Sequence, residues 1–166
     1  KAIAPMLRPF PDPDAVAKVV DLLRNAGRPV ILIGGGANYS DAGAAILALA
    51  EMLQAPVVNS PTSRGVLPET HPLVLGASGI IGYEPIGDAI READMVLAIG
   101  SRLSDLQTSR GELLPDGAPL IQIDIDPAVI GREYPVAVAA VADARAFTEA
   151  LNQALERTPL DVPDAR

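Results

Sequence analysis

The chain has 166 residues, enough for one hydrophobic core, and its 49% apolar and 20% charged residues set it apart from disordered segments. Thirteen Lys and Arg against 21 Asp and Glu give a net charge of -8 with no basic cluster, which takes nucleic acid off the expected partners. Zero cysteines remove disulfides, thiolate metal sites and a cysteine nucleophile; one histidine removes a His-rich metal centre; and no apolar run approaches the roughly 20 residues of a membrane span, so a cytoplasmic location with no membrane partner is expected.

Residues 1–11 carry Pro5, Pro9 and Pro11 without periodicity and read as a linker. With Lys1 where an initiator Met would stand, the chain reads as a segment of something longer or as a processed or tagged product. A domain is expected over 12–157. Asp12 is a candidate N-cap with Pro13 at the first helical position, and Val16, Val19, Val20 and Leu23 line one helical face before Gly27. Pro29–Ile33 is a continuous apolar strand of the kind covered on both faces. Gly34, Gly35 and Gly36 follow directly, and a helix starting near Ser40 and Asp41 carries Ala42, Ala45, Ile46, Leu49 and Leu53.

A short strand is expected at 56–59, then a long connection over 60–82 punctuated by Gly65, Gly76 and Gly79, a length that usually marks function. Ile86, Ala89, Ile90 and Ala93 mark a short helix. Strands follow at Met95–Ile99, 120–125 and 136–141, the middle one setting Ile121, Ile123 and Ile125 opposite Gln122 and Asp124. Asp143 caps a last helix with Phe147, Leu151, Ala154 and Leu155, and 158–166 is a tail. With two Phe, three Tyr and no Trp, the core is aliphatic and no base-stacking platform exists. Alternating strands and helices predict an α/β fold: a three-layer Rossmann-like domain with a mainly parallel sheet of about six strands and helices on both faces.

In such sheets ligands bind outside the carboxyl ends of the strands. Those ends carry Gly34 to Gly36, Asn59 to Thr62, Gly100 to Arg102 and Asp124 to Asp126, so Gly34, Asn59, Gly100 and Ile125 are expected near a common edge. Glycines admit a diphosphate, a helix N-terminus at Ser40 and Asp41 would offer N–H groups, Arg102 would neutralise phosphate and Asp124 would accept from ribose. The glycines miss G-x-G-x-x-G because the sixth position is Tyr39, and Asn59 stands where a dinucleotide fold places its acid, which disfavours hydride transfer; a bare tight turn fits them equally. His71, in a turn sequence, reads as solvated or locally bonded. No nucleophile with a neighbouring base and no metal-ligand spacing is visible, so the domain reads as a binder.

The order Pro29 to Gly36, then Arg64, Gly65 and Pro68 with His71, Pro72, Leu75 and Gly76, then Ala93 and Asp94 leading to Gly100, Ser101 and Arg102, then Ile123 to Pro127, resembles the central domain of thiamine-diphosphate-dependent enzymes, nearest the acetolactate synthase group, over about residues 12–157. The resemblance implies a domain between two outer domains, absent here, that bind thiamine diphosphate and Mg2+, and a homo-oligomer at full length. No Gly-Asp-Gly motif is present, so this segment is expected to be inactive alone. Flavin-containing members hold FAD here in a structural role and others hold ADP or nothing. The matching positions are Gly34, Gly35, Gly36, Ser60, Pro61, Thr62, Leu75, Gly76, Ala77, Ser78, Gly100, Arg102, Asp124, Ile125 and Asp143. Two departures count against FAD: Leu106 replaces a second arginine, and Ala77 with Ser78 replaces the usual Met-His pair. Those departures open the choice among carboligase, lyase and acyl-CoA-type decarboxylase. A free-standing nucleotide-binding module and a ligand-free scaffold domain remain the alternatives.

Overall fold

The computed structural model describes residues 8–160. Helix α1 (Pro13–Asn25) starts at Asp12, whose carboxylate accepts the Asp14 N–H at 2.9 Å, and it buries Val16, Val19, Val20 and Leu23. The turn into β1 (Pro29–Ile33) is held by Asp94, which accepts the N–H groups of Gly27 at 2.6 Å and Arg28 at 2.8 Å. Helices α2 (Gly35–Tyr39) and α3 (Gly43–Leu53) follow, then β2 (Val57–Asn59), a single 3-10 turn (Pro61–Ser63) and β3 (Val74–Ala77). The rest is α4 (Glu84–Arg91), β4 (Met95–Ile99), α5 (Asp105–Thr108), β5 (Leu120–Asp124), β6 (Val138–Val141) and α6 (Ala144–Arg157).

All six strands are parallel, in the order β3-β2-β1-β4-β5-β6. The expected α/β Rossmann-like architecture is the one observed. The sheet reverses its winding between β1 and β4, and a crevice opens at such a switch point. Ile33 lies opposite both Asn59 and Ile99, and Ile99 opposite Ile123, so the four residues expected on one edge share it.

Strands covered on both faces divide their side chains by parity. Ile31, Ile33, Val57, Leu97, Ile99, Ile121 and Ile123 face α1, α3 and α6 together with Phe147, Leu151 and Ile46. Val30, Leu32, Val58, Val96 and Ala98 face α4 through Ile86 and Ile90, and Leu103 and Leu113 extend that layer. The second layer is thinner and stops short of β6, where Ala139 and Val141 are exposed. No helix among the described residues is long and apolar enough to cross a membrane.

Four local expectations are corrected. The helix expected to start near Ser40 and Asp41 is α3, which starts at Gly43 with Ala42 as its N-cap; what was not expected is the short α2 ahead of it, with Gly34 as N-cap and Ser40 as C-cap, and Asp41 takes a left-handed φ of 53° between the two. The connection over 60–82 contains β3, an edge strand interrupted by Gly76 at φ 106°. The short α5 was not expected. Strand β5 ends at Asp124, which leaves Ile125 exposed, and Gln122 is buried, its amide donating to Ser101 O at 3.0 Å and accepting the Gly131 N–H at 2.9 Å.

Candidate functional site

The carboxyl edge is assembled around a backbone crossing. Gly34 N–H donates to Ile99 O at 3.1 Å and Gly36 N–H to Gly100 O at 2.9 Å, so the glycine turn after β1 lies directly on the end of β4. A Cβ at Gly34 would stand 2.5 Å from Ser101 Cα, and one at Gly36 would stand 2.7 Å from Gly100 Cα. Gly100 itself has φ 59°. These three glycines are demanded by the fold. Gly35 is different, because a Cβ there would meet only side chains, Thr62 at 3.2 Å and Tyr39 at 3.9 Å.

At the end of β2, Ser60 Oγ lies 2.9 Å from Thr62 Oγ1 and 3.1 Å from Ser63 Oγ. Ile33 O, the last carbonyl of β1, collects donors from the Ser60 N–H at 2.8 Å, Ser63 Oγ at 2.8 Å and Gln107 Nε2 at 3.4 Å. Gln107 is 4% exposed; its Oε1 accepts Ser101 Oγ at 2.5 Å and its backbone carbonyl accepts Ser78 Oγ at 3.1 Å. Gln107 escaped sequence reading, and Ser101 was read only as part of a strand end, because nothing in their spacing announces a buried polar junction. Asn59 is fully buried at the end of β2, and neither its Oδ1 nor its Nδ2 has a partner.

Arg102 is exposed and makes no hydrogen bond or ion pair with a described residue. Asp124, on the next strand, is 9% exposed and accepts the Asp126 N–H at 3.0 Å on one oxygen. Asp143 has its carboxylate fully engaged: Oδ1 accepts Ser40 Oγ at 2.7 Å, the Arg145 N–H at 3.1 Å, the Ala146 N–H at 3.0 Å and Arg8 Nη1 at 3.1 Å. Arg8 also donates to Ser40 O at 2.6 Å, and Asp143 N–H donates to Pro9 O at 3.0 Å, which pins the lead-in segment to this edge. Burial pushes the Asp143 carboxyl up, but the hydrogen bonds from Ser40, Ala146 and Arg8 together with the Arg8 charge outweigh it and hold the group below its ordinary value. His71 is bonded locally, accepting the Leu73 N–H on Nδ1 at 3.3 Å, with Nε2 3.3 Å from Glu51.

The expected positions therefore divide. Gly34, Gly36, Gly100, Gly76, Ser78 and Asp143 are spent on the fold, as is Ser60, the buried cap of the 3-10 turn, while Gly35, Thr62, Arg102, Asp124 and Ile125 lie at the edge. Residues 16–151 match the family described as thiamine pyrophosphate enzyme, central domain. The chain belongs to that family. It is 39% identical over 133 residues to a probable acetolactate synthase large subunit of Methanococcus aeolicus, covering 80% of this chain and 22% of that protein. It is 40% identical over 158 residues to a probable 2-ketoarginine decarboxylase of Pseudomonas aeruginosa, covering 95% and 27%. It is 34% identical over 143 residues to a glyoxylate carboligase of Escherichia coli O157:H7, covering 86% and 24%. A candidate thiamin diphosphate-dependent enzyme from Mycobacterium smegmatis, solved by X-ray crystallography, superposes with a TM-score of 0.74 at 27% identity, covering all of this chain and 31% of that one.

This central domain thus spans about a quarter of the length of the curated relatives it matches. The family implies thiamine diphosphate, usually with Mg2+, in full-length enzymes. Among the described residues no group of three or more His, Cys, Asp or Glu is placed to hold a metal ion. What the edge offers is the Arg102 guanidinium, unpaired among the described residues, with hydroxyls and an acceptor carboxylate, which suits an anionic ligand carrying hydroxyl groups.

Proposed function

We propose that this chain is the non-catalytic, nucleotide-holding central domain of a thiamine-diphosphate-dependent enzyme that joins or decarboxylates 2-oxo acids. In this reading, outer domains supply the thiamine diphosphate and Mg2+ sites, the full-length protein is a cytoplasmic homo-oligomer, and the central domain holds ADP or FAD for structure. The names of the relatives, a synthase, a decarboxylase and a carboligase, support the reaction class. The observation that carries the nucleotide is Arg102, unpaired among the described residues and two positions past the glycine crossing, with Asp124 on the neighbouring strand end.

Calorimetric titration tests both halves. A charge-assisted contact is worth about 1.5 to 3 kcal/mol, so Arg102→Ala should weaken ADP binding roughly ten- to a hundredfold. Thiamine diphosphate with Mg2+ should give no saturable micromolar binding to this chain. Saturable binding of thiamine diphosphate would overturn the division of labour, and equal ADP affinity in wild type and Arg102→Ala would remove Arg102 from the site. No binding of either nucleotide would reduce the domain to a ligand-free spacer.

A further inference from the structure

The sheet has two outer strands, and they are finished differently. Strand β3 carries Gly76 at φ 106° and loses register against β2 between Val57 and Val58. Irregularity of that kind keeps an edge from pairing with another chain. Strand β6 has no such guard, since residues 136–142 read Val-Ala-Val-Ala-Ala-Val-Ala, without a charge, a proline or a glycine. Its register with β5 runs from Ile121↔Val138 to Asp124↔Val141 and continues with the Ala142 N–H on Asp124 O at 3.1 Å. Backbone groups alternate in direction along a parallel ladder, so Val138, Ala140 and Ala142 address β5 while the N–H and C=O groups of Ala139 and Val141 point outward. Among the described residues nothing bonds to those four outward groups. The open stretch is bounded at both ends: Asp143 gives its N–H to Pro9 O at 3.0 Å, and Ala137 is a bend whose N–H turns in to Leu120 O at 2.8 Å. Beside it lies a groove of about 550 Å3, lined by Asp14, Ala15 and Lys18 of α1 together with residues 137–141.

We propose that the outer edge of β6 is a self-recognition site, on which a second copy of this chain adds its own β6 antiparallel across a two-fold axis at Ala140, joining the two sheets into one. The register is self-complementary. Ala139 exchanges both bonds with the partner's Val141, and Val141 with the partner's Ala139, so every open group on both copies finds a partner. Ala140 then faces its own counterpart. The side chains of Ala139 and Val141, the latter 49% exposed, lie where the α4 layer does not reach and become cross-strand neighbours. Charge favours the same direction. Helix α1 runs against β6, from the end where Pro9 meets Asp143 to the end where Gly27 meets Asp94, so the axis also sets the two α1 helices antiparallel. The acidic start of one, with Asp12 and Asp14, is thereby turned toward the later half of the other, with Lys18 and Arg24. This surface is on the flank of the sheet, apart from the carboxyl ends of the strands, and does not rest on the nucleotide reading.

The test is analytical ultracentrifugation of the whole chain with two edge variants, followed by cysteine cross-linking. One short strand pair makes a small, weak interface, so wild type should sediment as a 17.2 kDa monomer at about 10 μM and approach twice that mass at about 1 mM. Ala139→Pro removes an outward N–H and leaves the bonds to β5 in place; Val141→Lys puts a cation on an exposed position of the edge. Each should weaken self-association at least about tenfold while the dilute protein melts as wild type does. The chain has no cysteine of its own, which makes the register readable. Cα atoms of residues paired across the axis at Ala140 lie about 4.5 Å apart, within disulfide range, so Ala140→Cys should give a covalent dimer on mild air oxidation. Val138→Cys, whose two copies are offset by four residues, about 13 Å, should remain monomeric. A wild type that stays monomeric at about 1 mM, a dimer that both edge variants leave intact, or equal cross-linking of the two cysteine variants would each overturn the proposal.

Discussion

Changing Gly34 to Ala replaces one hydrogen with a methyl group, a net gain of one carbon and two hydrogens, where the glycine turn lies directly on the end of β4. The new Cβ would lie 2.5 Å from Ser101 Cα and closer still to Gly100 O, both backbone atoms that no rotamer change can move. The turn must separate from the end of β4, and the hydrogen bonds from Gly34 N–H to Ile99 O and from Gly36 N–H to Gly100 O are lost or stretched. Overpacking costs about 1 to 3 kcal/mol and each backbone bond about 1 kcal/mol, so the expected loss is about 3 to 5 kcal/mol. A domain of this size has roughly 5 to 15 kcal/mol in total. Gly35→Ala, one residue along, meets only the rotatable Thr62 and Tyr39 side chains and gains helix propensity at the first position of α2, so it should lie within about 1 kcal/mol of wild type. Urea unfolding of both variants gives the difference directly, and thermal melts should separate them by about 6 to 20 °C. Equal stabilities would mean that the crossing is slack and that the triplet of glycines serves a ligand instead of the fold.

The low carboxyl of Asp143 makes stability depend on pH: its contribution is complete above the ordinary value of 3.8 and is lost as pH falls from there through the lower folded value. Urea midpoints from about pH 6 down to about pH 3 should fall less steeply in Asp143→Asn than in wild type, and parallel curves would refute the network's role. Asn59, buried with an unpaired amide, should be improved by an apolar side chain, so Asn59→Val is expected to raise unfolding free energy by about 1 to 3 kcal/mol. A loss of stability in Asn59→Val would show that the amide has a partner in solution.

The strands β1 and β4 were legible because both faces are covered, which writes an unbroken apolar run into the sequence. Helix α1 was legible from its cap and its spacing. Strand β3 was hidden because an edge strand of four residues with a left-handed glycine carries neither a run nor an alternation. Helix α2 was hidden for a related reason: its first two residues are glycines, chosen for the crossing against propensity. The site was half legible. Arg102 and Asp124 could be placed at strand ends, and Asp143 could be read as a helix cap. Its engagement by Ser40, 103 residues away, and by Arg8, 135 away, is a product of the tertiary fold that no local pattern encodes.

The pinning of Pro9 to Asp143 has a mechanical consequence. The lead-in segment meets the domain at the carboxyl ends of the strands, and α6 starts there and runs back along the sheet for 14 residues, about 21 Å. Residues 8 and 160 are thus held at opposite ends of the strand axis. Tension between them pulls α6 lengthwise over the sheet, loading Phe147, Leu151 and Leu155 in shear so that their contacts must yield together, whereas a helix peeled from one end would give them up in turn.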